Sequence, residues 1–215
     1  MKIAVIGAGN VGSTLGLAWA KRGHQVVFGV RNPVDDRYMS LASMPNVVVA
    51  SNHDAVKGTE VVALATPWSA TRDAVESCGI LEGKTIIDCT NPVSPYFTGL
   101  VIGHDTSGAE SIAQWANGAN VVKAMNQIGF ASMDAPNFPG GKPVMFVCGS
   151  HGTSKSTVID LVTELGFEAV DAGNLEIARL LEPLAMLWIH LAVRQGLGRE
   201  FAFSILRKHS KEQKD

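Results

Sequence analysis

The chain is short of cysteine, of aromatic residues and of any excess of one charge. Cys78, Cys89 and Cys148 are odd in number and none stands at C-x-x-C spacing. A disulfide framework or a zinc site therefore has no basis, and no metal is expected; a reducing cytoplasm suits the three thiols, which read as small core or loop residues. Against 18 Lys and Arg stand 20 Asp and Glu, a formal net charge of −2. The longest basic stretch is the tail at 207–211, so no nucleic-acid partner is expected. Apolar runs are short as well. The opening one is broken by Gly7 and Gly9, which argues against a leader peptide. Residues 175–193 carry Glu176, Arg179, Glu182, Pro183 and His190 and fall well below the ~20 apolar residues a bilayer crossing needs. That segment reads as a buried helix that Pro183 should end or kink near Glu182. After it, Leu184, Leu187, Trp188, Leu191 and Ala192 form an apolar stripe that the core, an apolar ligand or a second subunit must cover; a homodimer is expected.

What is present is concentrated at the start. Residues 1–12 read M-K-I-A-V-I-G-A-G-N-V-G, a β-branched run entering G-x-G-x-x-G, with helical spacing continuing over 10–22 through Val11, Leu15, Ala18 and Trp19. Strand, glycine turn and helix arrive in the order that binds a dinucleotide pyrophosphate. Gly7 allows the tight turn, Gly9 lets backbone approach the phosphates, Gly12 lets helix and strand pack, and the helix N-terminus offers N–H groups to the anion. The second strand, Gln25–Val30, ends in Gly29-Val30-Arg31-Asn32-Pro33. An acid at this point holds a ribose 2′-OH, whereas a guanidinium forks onto a 2′-phosphate. Arg31 therefore predicts NADP(H) over NAD(H), and Asp35 and Asp36 lie too far into the loop to replace the missing acid.

Further strands are expected at 47–50, 60–65, 85–88, 121–124, 144–148 and 168–170, and helices at 69–77, 107–116 and 154–165. With no repeat and no low-complexity linker, this predicts an α/β Rossmann-type, doubly wound, mostly parallel sheet with a helical C-terminal segment. At 215 residues one core with a small appended lobe fits: residues 1–150 as the NADP-binding domain, and 151–215 as a smaller α/β and helical lobe packed on it. Ligands in such sheets sit beyond the carboxyl ends of the strands. There the chain places Thr66-Pro67-Trp68, Cys89-Thr90-Asn91-Pro92 and Met125-Asn126-Gln127-Ile128-Gly129. Their amides and hydroxyls suit a nicotinamide carboxamide, and Trp68 or Ile128 an apolar floor beneath a flat ring. The expected cofactor contacts are Gly7, Ala8, Gly9, Asn10, Val11, Gly12, Arg31, Asn32, Thr66, Pro67, Trp68 and Asn91.

An acid to protonate a ketone or imine is missing from these loops. His53, His104 and His151 read as loop residues without an acidic partner, His190 as a satisfied core residue, and His24 and His209 as exposed. Lys123 is the remaining candidate, with a structural lysine paired to a carboxylate or carbonyls as the alternative. Hydride passing directly between two flat cofactors needs no such group, only alignment and exclusion of water.

G-A-G-N-V-G, F-G-V-R-N-P, A-T-P-W, V-V-K-A-M-N-Q-I, V-M-F-V-C-G-S and G-F-E-A-V-D-A-G-N-L-E-I-A-R-L-L-E together resemble the deazaflavin-dependent NADP oxidoreductases, which act on coenzyme F420. V-V-K-A-M-N and D-A-G-N-L are also similar to the cytoplasmic oxidoreductase domain of the six-transmembrane epithelial antigen metalloreductases. The resemblance spans nearly the whole chain. It implies that Arg31 meets the 2′-phosphate, that Thr66, Pro67 and Trp68 lie by the nicotinamide, and that Asn126, Ile128, Gly173 and Leu175 border a deazaflavin or flavin ring (coenzyme F420, FAD or FMN). Val30 stands where the archaeal pattern commonly has a serine, and Asn126-Gln127 where it has a His-Thr pair. The function expected is hydride transfer between NADP(H) and a deazaflavin or flavin. The alternatives are an imine or 2-hydroxyacid-type reductase and a non-catalytic NADP(H)-binding redox sensor.

Overall fold

The computed structural model describes residues 1–149 and 152–208. Eight strands form one sheet: β1 (Lys2–Ile6), β2 (Gln25–Val30), β3 (Val47–Ser51), β4 (Val61–Leu64), β5 (Thr85–Asp88), β6 (Asn120–Lys123), β7 (Val144–Gly149) and β8 (Glu168–Gly173). Their spatial order is β3-β2-β1-β4-β5-β6-β7-β8. The inner strands β1, β4 and β5 are almost wholly buried along their length, as β-branched runs covered on both faces must be. On one face, Leu15, Ala18 and Trp19 of α1 (Asn10–Lys21) and Val158, Leu161 and Val162 of α6 (Thr153–Glu164) complete the core. On the other lie α3 (Asn52–Ala55), α4 (Trp68–Cys78) and α5 (Gly108–Trp115), through Ala55, Val75, Cys78 and Ile112. A short α2 (Met39–Ala42) precedes β3. The sheet continues across residue 150, since β7 pairs with β8.

All neighbouring strands are parallel except one pair. β7 runs antiparallel to β6 through Val122↔Gly149 and Lys123↔Cys148, and β8 then runs parallel to β7. The carboxyl ends of β1, β4, β5 and β6 thus share one edge of the sheet, while those of β7 and β8 point to the opposite edge.

The C-terminal helix α7 (Ala178–Val193) does not end at Pro183 but runs through it as one helix. The residue before the proline supplies the reason. The Glu182 carboxylate accepts hydrogen bonds from the amides of Gly108 (2.9 Å) and Ala109 (3.1 Å) at the start of α5 and lies 3.0 Å from Lys123 Nζ. Lys123 also donates to Asp88 at 2.7 Å and to the Thr90 carbonyl at 2.8 Å. These tertiary anchors offset the one helical hydrogen bond that proline removes. The sequence stripe on α7 is also split. Leu181, Ala185, Trp188 and Ala192 face inward, whereas Leu180 and Leu187 are 66% and 48% exposed.

Several histidines depart from expectation. His190 is exposed, its ring 3.1 Å from the Gln195 amide. His24 is buried between the N-terminal amine (3.3 Å) and Glu164 (2.8 Å). His53 belongs to α3, and His104 has a carboxylate partner in Asp105 at 2.8 Å. His151, His209 and the end of the basic tail lie outside the described residues. All three cysteines are free and buried; burial raises Cys78 and Cys148 to about 12. Among the described residues no helix is long and apolar enough to cross a membrane.

Burial pulls the Lys123 pKa down, but Asp88 and Glu182 outweigh it and hold the ammonium above the ordinary lysine range. Lys123→Met strands two buried carboxylates without their cation and should cost about 3–5 kcal/mol of stability, read by denaturant unfolding. The raised pKa means that this contribution is present below the unfolded lysine value of ~10.4 and is lost as pH climbs through the folded value, so the unaltered protein should weaken on the alkaline side. A loss under about 1 kcal/mol, the range of an exposed ion pair, would remove the cluster from its structural role.

Candidate NADP site and adjoining cavity

Two adjoining cavities open along the edge where β1, β4, β5 and β6 end. The first, about 560 Å³, runs from the glycine loop to the loop after β2. Gly7 has φ +101°, and a Cβ there would lie 2.7 Å from the Ala65 carbonyl oxygen. A Cβ on Gly12 would fall 1.9 Å from the Gly7 carbonyl. Both glycines are required by the protein itself. At Gly9 a Cβ would meet nothing within 4 Å, so this glycine serves space left for a ligand. α1 begins there with no side-chain cap and no acidic residue in its first turn, leaving amide donors and the positive end of the helix for an anion.

At the far end of this cavity stand two guanidinium groups, Arg31 and Arg37. Arg31 is exposed and makes no ion pair among the described residues. Arg37 is held 3.3 Å from Asp35 and lies 4.6 Å from the centre of the Tyr38 ring. Asp35 is thus committed to its own loop, accepting also from the Arg37 amide at 3.1 Å. Asn32 is exposed and does not line the cavity. Arg37 and Tyr38 escaped sequence reasoning; a second arginine six positions after Arg31 was the available signal. Asn52, also on this cavity, donates to Ser77 at 2.8 Å, while its buried Oδ1 has no partner among the described residues. A pyrophosphate cradle, paired arginines and an open acceptor fit an adenine dinucleotide with a 2′-phosphate.

The second cavity, about 890 Å³, shares Gly9, Ala65, Thr66 and Pro67 with the first. The turn after β4 is pinned by Thr66 Oγ1 to Thr71 Oγ1 (3.0 Å) and by Thr71 to the Pro67 carbonyl (3.0 Å). Trp68 packs on Trp115 with ring centres 5.5 Å apart. Asn10, Val11, Trp68, Asn91 and Ile128 all line this space. Asn126 does not. It is buried behind Asn91, donating to Asn91 Oδ1 (3.1 Å) and to the Leu181 carbonyl (3.2 Å), while Asn91 donates to the Asn126 carbonyl (3.0 Å). Gln127 bonds both backbone groups of Phe146 (2.9 and 3.1 Å) and so extends the sheet beyond β6.

Gly173 and Leu175 are not at this cavity either. Gly173 ends β8 level with Cys148, which is level with Lys123 of β6, and because β7 and β8 run against β6 the chain does not turn there into the loops that line the cavity. There Lys155 donates to Asp171 (2.8 Å) and to the Gly173 carbonyl (3.1 Å), and Leu175 packs with Ala109, Ala178 and Leu181. Lys123 lines neither cavity and is fully buried. Tyr96, Phe97, Phe130, Trp188, Ile189, Val193 and Arg199 also line the second cavity; sequence spacing hinted only at Trp188. Among the described residues no Asp, Glu, His or Lys lines this space. The one thiol, Cys89, is pushed far above its ordinary range by burial and then by the charge of Asp88.

A solved structure from Arthrobacter sp. FB24, described as an F420-dependent NADP reductase, matches this fold with a TM-score of 0.87 at 32% identity, covering 96% of this chain and 100% of that one. The chain belongs to the coenzyme F420-dependent NADP oxidoreductase family. A family model described as NADP oxidoreductase, coenzyme F420-dependent, matches residues 2–92. The F420-dependent NADP reductase of Methanocaldococcus jannaschii is 27% identical over 210 residues, covering 90% of this chain and 93% of that protein. Rat metalloreductase STEAP3 is 30% identical over 190 residues, covering 86% of this chain; the chain spans only 37% of that protein's length. The protein is accordingly an NADP-dependent oxidoreductase.

Arg31→Ala should weaken NADPH by roughly 1.5–3 kcal/mol, one to two decades in affinity, through loss of charge-assisted contacts. NADH should be nearly unaffected. Arg37→Ala should cost less, because Asp35 and Tyr38 already share its guanidinium. Calorimetric titration of both cofactors checks this, and equal affinities in the unaltered protein would overturn the assignment of the arginines.

Proposed function

We propose that this protein transfers hydride between the nicotinamide of NADP(H) and a deazaflavin or flavin ring, the two held face to face in the second cavity. The observation that carries the reading is the chemistry of that cavity's wall. Reduction of a ketone or imine calls for an acid beside the developing charge, and among the described residues the wall offers no carboxyl, imidazole or amine. Lys123, the one candidate, spends its ammonium on Asp88, Glu182 and the Thr90 carbonyl. What the wall does offer is flat and apolar: Trp68, Ile128, Phe130, Trp188 and Ile189. At about 890 Å³ it lies in the range of cavities that enclose most of a cofactor-sized ligand.

Each group then has a physical task. The loop at Gly7–Gly12 and the arginines fix the dinucleotide at its phosphates. Thr66, Pro67 and Asn91 border the nicotinamide, and Asn126 orients the Asn91 carboxamide from behind. Ile128 and the aromatic residues exclude water and keep the rings parallel, the contribution that proximity and desolvation make to such a step. NADPH supplies the hydride. The F420 dependence of the relatives makes a deazaflavin the first candidate partner, with FAD or FMN next, and the reduced, buried thiols suit a cytoplasmic setting.

Anaerobic mixing with NADPH deuterated at the transferring carbon should bleach coenzyme F420 and leave deuterium on its reduced ring. No reduction of deazaflavin or flavin, together with turnover of a ketone or imine, would overturn the mechanism.

The outward ridge of α7 supports a second proposal, a homodimer. Leu180, Leu184, Leu187 and Leu191 recur every three or four residues along one face, with Leu180 and Leu187 well exposed, and a second copy would cover them. Sedimentation at micromolar concentration should report a dimer that Leu187→Glu dissociates. A monomeric unaltered protein would return the ridge to solvent.

A further inference from the structure

We infer that Arg199 is the specificity residue for the second substrate, recognising an anionic group, a phosphate or carboxylate, on that molecule; this rests on the two-ring reading above. Three observations lead to it. Among the described residues, Arg199 is the only Asp, Glu, His, Lys or Arg on the wall of the second cavity. It is exposed and has no hydrogen bond or ion pair among the described residues, and the adjacent Glu200 does not line the cavity. Its backbone is also fixed. The chain beyond α7 returns as an extended strap whose Phe201 stacks on Trp188 with ring centres 5.1 Å apart and accepts the indole N–H at 3.0 Å. Phe203 then accepts from the Val144 amide at 2.9 Å, and Arg207 pairs with Glu168 at 2.6 Å. Gly129 lets this strap close on the turn after Ile128: a Cβ there would lie 2.8 Å from the Trp188 ring and 3.2 Å from the Arg199 carbonyl oxygen.

A guanidinium with no carboxylate partner among the described residues, carried by an anchored backbone on an otherwise uncharged and largely apolar wall, is available to an anion. Arg presents a planar fork that matches phosphate and carboxylate alike, and a pairing next to apolar walls is screened less than one in open solvent. The first cavity already has Arg31 and Arg37 for its own phosphate, so Arg199 serves the other ligand. It touches neither ring and selects by charge at the distal end of the substrate.

Two ligand pairs separate this role from the hydride step, each differing in the anionic tail: coenzyme F420 against its uncharged, tail-free chromophore, and FMN against riboflavin. Binding to the protein–NADP⁺ complex is followed by quenching of ring fluorescence. The unaltered protein should prefer the anionic member of at least one pair by about tenfold, as loss of a charged hydrogen bond implies. Arg199→Gln should abolish that preference while leaving the uncharged member's affinity unchanged, Arg199→Lys should keep part of it, and added salt should reduce it. The FMN pair tests phosphate alone. No preference in either pair, a preference that survives Arg199→Gln, or an equal loss for both members of a pair would each overturn the inference. Hydride transfer, measured separately as anaerobic NADPH oxidation with each ring, reports on the two-ring reading: preference without transfer sinks that reading, and transfer without preference sinks only the role of Arg199.

Discussion

The buried Lys123 ammonium, shared between Asp88 and Glu182, is the interaction on which the rest of the site depends. An ammonium has three protons to donate, and three acceptors are in reach: Asp88 at 2.7 Å, the Thr90 carbonyl at 2.8 Å and Glu182 at 3.0 Å. The carboxylates are equally provided for. Asp88 also accepts from the Thr90 amide and hydroxyl at 2.9 and 2.7 Å, and Glu182 from two amides at the N-terminus of α5. Burying ions costs several kcal/mol each, so such a cluster persists only when satisfaction is this complete. Its product is position. It joins the ends of β5 and β6 to the start of α5 and the first turns of α7, and so sets where Trp188 and Ile189 meet the cavity. The same completeness leaves Lys123 no free proton to offer a substrate.

A second constraint is the reversal at β7. A parallel strand in that place would have brought the carboxyl ends of β7 and β8 to the cofactor edge. The antiparallel pairing instead brings their amino ends there. Met125 turns in the left-handed region at φ +61°, with its amide 3.2 Å from Met145 Sδ. Gln127 then supplies by side chain the ladder bonds that β6 no longer makes to Phe146. This arrangement frees the cofactor edge beside Ile128 for the C-terminal strap, whose Phe203 bonds to the start of β7.

The limits of sequence reasoning follow the same division. The strands were legible because buried parallel strands are written as β-branched runs, and the glycine loop because its tight turn and helix packing are local demands. The direction of β7 was not legible, since V-M-F-V-C-G reads alike in either sense. With that direction unread, Gly173 and Leu175 were expected at a cavity they do not line; their D-A-G-N-L motif bonds instead to Lys155 through Asp171 and Gly173 and packs Leu175 against the starts of α5 and α7. Pro183 misled because propensity carries no information about Glu182, whose partners lie 73 and 74 positions away. Arg37, Arg199 and the buried His24 belong to this class too. Each is placed by contacts between segments far apart in the chain or by a loop that local rules do not fix.

The two cavities divide the electrostatic work. Positive charge stands at the α1 N-terminus and at Arg31 and Arg37 in the first cavity, and under the inference above Arg199 would supply it on the wall of the second. Around Thr66, Pro67, Asn91 and Ile128 the second cavity has no other ionised side chain among the described residues, and the one carboxylate among the described residues on the first is Asp73 of α4. This distribution suits a step in which hydride moves between two rings. A fixed charge beside the rings would draw water into the gap and favour one redox state over the other. In the proposed two-ring step, charges at the distal ends would bind both ligands while leaving the reacting atoms to alignment and dryness, so that remote contacts would supply the orientation that the chemistry uses.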